Sequence, residues 1–249
     1  EQLMSEAEQA LEQLDFRKAL RIADRLLRLK HTAGFEYKAR ALWDMNRPQD
    51  AIAALQAGVA VAPQVWTLWE YLGEYLSDTG QHDEALEAFR KGLACDGSPK
   101  DSFLYNLALV YQRMGEHENA LQLFDQAERV IRKLPVPLLE TARAYSLIHL
   151  QRYAEAERAL QHAQRTLDTM TDPELRLLTE SMALAYTGLI YHKRDHDIIR
   201  ARQYAVRALR LDKENPDAAA LMRATNPIAE QPTPLWHILV EGVWSEPLE

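Results

Sequence analysis

Apolar residues in this chain recur three and four positions apart in short blocks. Leu104, Leu107, Ala108 and Tyr111 form one block, and that spacing puts all four on a single stripe of a helix. Ala120, Phe124 and Ala127 form a second stripe after a break at Gly115. The same two-block rhythm runs upstream through Phe35, Ala39 and Leu42, then Ala51, Leu55 and Gly58. It begins with Ala7 and Ala10, followed by Ala19, Ala23 and Leu26. Downstream it returns in Ala144 and Leu147, then Ala156, Leu160 and Ala163, and last in Leu184, Gly188 and Tyr191, then Ala201, Ala205 and Ala208. Pairs of amphipathic helices, one pair after another, are the predicted elements.

The first small residue of each second helix fixes the period. Ala19, Ala51, Ala85, Ala120, Ala156 and Ala201 stand 32, 34, 35, 36 and 45 residues apart. The first four steps fit a unit of about 34 residues; the last does not. Thr171-Asp172-Pro173-Glu174 reads as the start of a long helix, with Pro173 in its first turn and Asp172 or Thr171 as cap. The turn "HKRDHD" carries one residue more than its counterparts. Gly80 and Gly115 are expected to end first helices in the left-handed conformation.

The clearest unit, "WTLWEYLGEYLSDTGQHDEALEAFRKGLACDGSP" from Trp66, has Trp69, Leu72, Gly73 and Leu76, then Ala85, Phe89 and Gly92. These residues resemble the hallmark positions of the tetratricopeptide repeat family, and the next unit keeps the register. The resemblance covers residues 1–214. It implies an all-α, right-handed superhelical solenoid of about six helix-turn-helix units, at 1–31, 32–65, 66–100, 101–136, 137–170 and 171–214. Residues 215–249 are expected to form a capping helix ("NPDAAALMRATNP"), a proline-containing linker and an apolar, tryptophan-bearing tail ("LWHILVEGVW"). Solenoids need such an end cap to cover the last apolar face.

Composition agrees with this picture. Nine glycines in 249 residues leave long uninterrupted stretches, as helices require. Ala, Leu, Glu, Gln and Arg outweigh Val and Ile, which favours helices again. The net charge of −8 repels phosphate backbones, so nucleic acid is not an expected partner. Cys95 is the single cysteine; an intrachain disulfide is impossible, which suits a reducing, cytoplasmic setting. No apolar run reaches the ~20 residues that span a bilayer, so no membrane insertion is expected. The chain opens on Glu1 rather than methionine, and it reads as a fragment or as lacking an upstream segment. Leu248-Glu249 reads as a vector-encoded pair.

Little in the chain suggests chemistry. There is no glycine-rich phosphate loop and no G-x-S-x-G elbow, and no cofactor or catalytic residue is expected. Cys95 reads as a helix-end residue rather than a nucleophile. His192, Asp195, His196 and Asp197 sit close in sequence, but they straddle a turn, and a solvated turn is expected there rather than a metal. Most acids are expected on exposed helix faces, in pairs such as Glu155 with Arg158.

The resemblance also implies a working face. In the family, the first helices of successive units line a concave groove that holds segments of other proteins. Carried over by position, that groove takes Glu36, Tyr37, Arg40 and Trp43, then Glu70, Tyr71, Glu74 and Asp78. It continues through Tyr105, Asn106, Leu109, Gln112 and Arg113, then Thr141, Tyr145 and His149, and ends at Tyr186, Leu189 and His192. Five units thus offer one tyrosine each, a side chain of large contact area and low entropy cost. The Lys/Asn clamp that one subfamily uses for C-terminal carboxylates is missing: Met4 and Glu8, Glu36 and Arg40, or Glu70 and Glu74 stand there. The acids point to a partner segment of basic character. The expected function is a scaffold or adaptor that binds another protein or peptide. The alternative is a regulatory sensor or substrate-recognition module of a larger protein. Trp236, Leu239 and Trp244 in the tail are expected to dock, either in cis or within a homodimer.

Overall fold

The computed structural model describes residues 1–226; Trp236, Leu239, Trp244 and the linker before them lie outside the described residues. All secondary structure within 1–226 is helical, and the helices pack as antiparallel neighbours. The chain divides into two compact units, Glu1–Leu150 and a second beginning at Gln151. The division falls in the turn after Ala144 and Leu147, inside the fifth expected repeat.

The first unit contains α1 (Gln2–Glu12) and α2 (Phe16–Arg28), α3 (Ala33–Asp44) and α4 (Pro48–Val61), α5 (Trp66–Asp78) and α6 (His82–Leu93). It continues with α7 (Lys100–Arg113) and α8 (His117–Arg129), and closes with α9 (Val136–His149). Each helix packs on the next in sequence. The odd-numbered helices also touch one another in order, α1 to α3, α3 to α5, α5 to α7 and α7 to α9. That second set of contacts builds a continuous wall of first helices, and the wall carries the candidate site.

In the second unit, α10 (Tyr153–Thr166) leads through one 3-10 turn into α11 (Pro173–Lys193), which is followed by α12 (Ile198–Leu211) and α13 (Pro216–Ala224). Asp172 caps α11, accepting from the backbone N–H of Glu174 and Leu175. Pro173 stands at the first helical position, where its missing N–H is not needed. Asn215 caps α13 and also donates to Ser181 Oγ at 2.9 Å, while Ser181 donates to the Ala208 carbonyl at 3.0 Å. These buried polar groups tie α11, α12 and α13 together with every partner satisfied.

Close approach holds the helices of each pair. All six marker alanines, Ala19, Ala51, Ala85, Ala120, Ala156 and Ala201, are 0% exposed. Glycine serves where even a methyl group is too large: a Cβ on Gly73 would stand 2.6 Å from the Phe89 ring. Phe89 and Phe103 meet edge-on, with centroids 6.2 Å apart, in the core of the third and fourth helix pairs.

The turns show a regularity that the glycines only hinted at. Gly80 and Gly115 are left-handed, and so are Leu14, Asn46, Gln151 and His196. Each of the six stands five residues before a marker alanine. The backbone imposes this dihedral at the turn inside each helix pair whichever residue is there. Elsewhere, Glu155 pairs with Arg152 at 2.6 Å, and the Arg158 guanidinium turns instead to the Ala154 carbonyl. The expected Glu155–Arg158 pair does not form because Arg152, just before α10, reaches the same carboxylate with two nitrogens.

Two outcomes follow from this packing. Leu14 is 70% exposed, so Leu14→Gly gives up almost no packing and relieves about 1 kcal/mol of left-handed strain. Its thermal midpoint should rise by about 2–4 °C, whereas Gly80→Ala should lower it; no change in either by circular dichroism would show the turns to be unstrained. Gly73→Ala overpacks against Phe89 and should cost about 1–3 kcal/mol in urea unfolding, part of it recovered by adding Phe89→Leu.

Candidate functional site: the first-helix wall of the first unit

The wall of first helices brings together most of the residues that the resemblance assigned to a groove. Its N-terminal end is internally neutralised. Arg40 on α3 makes a two-pronged contact with Glu8 on α1, at 2.9 and 2.7 Å, and lies 3.6 Å from Glu36 one turn away. Its guanidinium also stands 5.7 Å from the Tyr37 ring centroid and 5.9 Å from that of Tyr71. The hydrogen bond to Arg40 holds the Glu8 carboxyl below its ordinary range. Glu36 is raised instead, because burial outweighs the nearby guanidinium.

The middle of the wall is aromatic on one side. Trp43 stacks on Tyr75 with ring centroids 4.0 Å apart and planes 9° from parallel, and Tyr71 lies 6.1 Å from Tyr75. On the other side a cavity of about 220 Å³ opens between α5 and α7. Glu74, Tyr75, Ser77, Asp78, Asn106, Leu109 and Arg113 all contribute to its lining. Arg113 does not project freely: one nitrogen donates to Ser77 Oγ at 2.8 Å and to Asp78 at 2.6 Å. Gln112 is likewise engaged, donating to the Ala142 carbonyl and to Ser146 Oγ across the α7–α9 contact.

Glu70 and Glu74 remain. They stand one turn apart on α5, about 6 Å between Cβ atoms, half-buried, and neither carboxylate makes a hydrogen bond or an ion pair among the described residues. Burial pushes the Glu74 carboxyl up to about 7, with Glu70 and Asp78 adding repulsion. Glu70 is raised by burial and by Glu36, against a lowering pull from Lys133. Burial also raises the Tyr71 hydroxyl to about 12. Two desolvated acids without a direct ion pair are an unfavourable arrangement for the free protein.

The tyrosine series divides. Tyr37 and Tyr71 are half-buried on the wall. Tyr145 is half-buried on α9, its ring 4.5 Å from that of His149 and 5.9 Å from that of His117. Tyr105 is only 8% exposed and packs on Phe124, so it is a core side chain rather than a groove one. Tyr186 in the second unit is 4% exposed and hydrogen-bonds Asp217. The spacing that puts a tyrosine on the right helix face does not fix which way the neighbouring helix crowds it. Thr141 is fully buried as well. Sequence reasoning passed over Tyr75, although Tyr71 and Tyr75 are four apart on α5, and over the pairing of Glu8 with Arg40, 32 positions away.

Elsewhere, burial and Asp96 push the Cys95 thiol up, the opposite of what activates a nucleophile. Asp195 is held by Arg194 at 2.7 and 2.9 Å, and Asp197 caps α12. No group of three or more His, Cys, Asp and Glu among the described residues is placed to hold a metal. Nor is any described helix long and apolar enough to cross a membrane.

Comparison with known proteins agrees with the helix pairs. The tetratricopeptide repeat profile matches residues 38–102, and that of the anaphase-promoting complex, cyclosome, subunit 3 matches residues 78–163. The chain is thus similar to the tetratricopeptide repeat family. Among solved structures, PilF of Pseudomonas aeruginosa is similar with a TM-score of 0.64 at 15% identity, over 89% of this chain and 96% of that one. A tetratricopeptide repeat protein from Parabacteroides merdae gives 0.59 at 14%, over 90% and 97%. The MamA protein gives 0.56 at 19%, over 67% and 90%. At such identities the likeness is one of fold. No curated protein matches the chain. The family as a whole serves protein–protein interaction.

Glu74 gives the wall a pH signature. Its folded carboxyl keeps a proton up to about pH 7, while an unfolded one releases it in the ordinary carboxylate range. The folded state therefore binds the extra proton, and this group's contribution to stability is lost as pH rises through that window. Glu74→Gln should raise the thermal midpoint clearly at about pH 8 and much less at about pH 5. An equal effect at both would assign Glu74 an ordinary pKa.

Proposed function

We propose that the first unit holds a segment of a partner protein that places a lysine or arginine between Glu70 and Glu74. The observation that carries this reading is the pair of half-buried carboxylates that make no ion pair among the described residues. An incoming guanidinium or ammonium supplies the missing charge in a partly desolvated site, where a charged hydrogen bond contributes about 1.5–3 kcal/mol. Tyr71 and Trp43, the latter backed by the buried Tyr75, offer an aromatic flank for the aliphatic stem of that side chain. Asn106, which makes no hydrogen bond to the described residues, offers its amide to the partner backbone. The role is that of a non-catalytic scaffold or adaptor in a reducing, cytoplasmic setting. Within a longer protein, the same wall would serve as its recognition module.

The cation must meet ionised acids, so binding drives a proton off Glu74 and tightens as pH rises from about 5.5 to about 8. Panning a random-peptide display library against the protein should enrich lysine- and arginine-bearing sequences. Glu70→Gln/Glu74→Gln should bind those peptides about tenfold more weakly, a loss of ~1.4 kcal/mol. Tyr71→Ala should weaken them too, while Tyr186→Phe should not. Enrichment of acidic or purely apolar peptides, or equal binding by wild type and the double variant, would overturn the assignment.

A further inference from the structure

The second unit carries a surface of opposite character. Helix α12 buries Ala201, Ala205 and Ala208 against its neighbours. Its other side shows Ile199, Arg202, Gln203, Val206 and Arg210, whose three- and four-residue spacing makes one outward stripe. Ile199 is 72% exposed and Val206 is 36% exposed. The helix holds four arginines and no acid, in a chain whose net charge is −8. Arg200 is occupied by Asp197 and lies over the Tyr191 ring, and Arg207 lies over that of Tyr204. Arg202 and Arg210 meet no acid among the described residues. They flank Val206 at a shallow depression of about 420 Å³. An apolar centre between two unneutralised cations asks for an apolar segment that carries acids.

The chain itself contains such a segment. Leu235–Glu246 has Leu235, Trp236, Ile238, Leu239, Val240, Val243 and Trp244, together with Glu241 and Glu246, and neither Lys nor Arg. Residues 227–234, extended, span up to about 26 Å, whereas α12 with 14 residues is about 21 Å long. The last described helix, α13, already packs on α12. We propose that Leu235–Glu246 docks in cis on the outer face of α12, its apolar side chains on Ile199 and Val206 and its Glu241 and Glu246 toward Arg202 and Arg210. The acidic wall of the first unit is a poor alternative seat, because Glu241 and Glu246 would meet Glu70 and Glu74.

Cysteine trapping in the full chain tests this. In a Cys95→Ser background, Val206→Cys/Leu239→Cys should oxidise to a cross-link within one chain, located by peptide mapping of the monomer. Gln122→Cys/Leu239→Cys, with its first cysteine on the exposed face of α8, should cross-link at least tenfold more slowly. Adding Arg202→Glu/Arg210→Glu to the first pair should slow it about tenfold, and adding Glu241→Lys/Glu246→Lys as well should restore it, with circular dichroism confirming that each variant folds. Equal rates for the two cysteine pairs, a cross-link found only between chains, or no recovery in the charge-swapped variant would overturn the proposal.

Discussion

The close approach of paired helices at small side chains is the constraint from which the rest of the structure follows. A methyl group at Ala85 or Ala120, fully buried, lets two helix backbones come near enough for the larger apolar residues on either side to interlock. At Gly73 the space belongs to the Phe89 ring, and at Gly92 to that of Phe103. With the pairs fixed at that distance, the first helices of successive pairs are brought side by side, and their outward residues become neighbours on one surface. Glu74 on α5 and Asn106 on α7 line a common cavity for this reason.

The hydrophobic spacing made the helix pairs legible, because burial is decided by periodicity and the alanines repeat it with little noise. The turns were half legible. Gly80 and Gly115 announce a left-handed residue, but Leu14, Asn46, Gln151 and His196 adopt the same dihedral without announcing it. The fold overrides their local preference, as tertiary structure commonly does. The wall was legible as a set of positions but not as a pattern of charge. Whether an arginine is free depends on partners such as Glu8 for Arg40 or Asp78 for Arg113, 32 and 35 positions away, and no local rule reaches that far. For the same reason, residues as alike in sequence as Tyr71 and Tyr105 end in different places, one on the wall and one against Phe124.

Charge is organised more finely than a net value of −8 suggests. On the wall of the first unit, Arg40 answers Glu8 and Arg113 answers Asp78. Glu70 and Glu74 on α5 keep no ion pair, and burial makes their charge costly. In the second unit, α12 collects arginines with no acid among its own residues. Segregation of this kind contributes nothing to the core. It creates two surfaces that prefer opposite occupants, and it discourages each from taking what suits the other.

The Trp43–Tyr75 stack has a consequence for anyone who handles the protein. An indole ring pressed at 4.0 Å against a phenol, on the same wall as Glu70 and Glu74, has its emission set by how dry and how charged that surface is. A cation bound there as proposed would displace water and neutralise acid together. With the other four tryptophans replaced by phenylalanine, Trp43 would serve as an intrinsic optical probe of the wall.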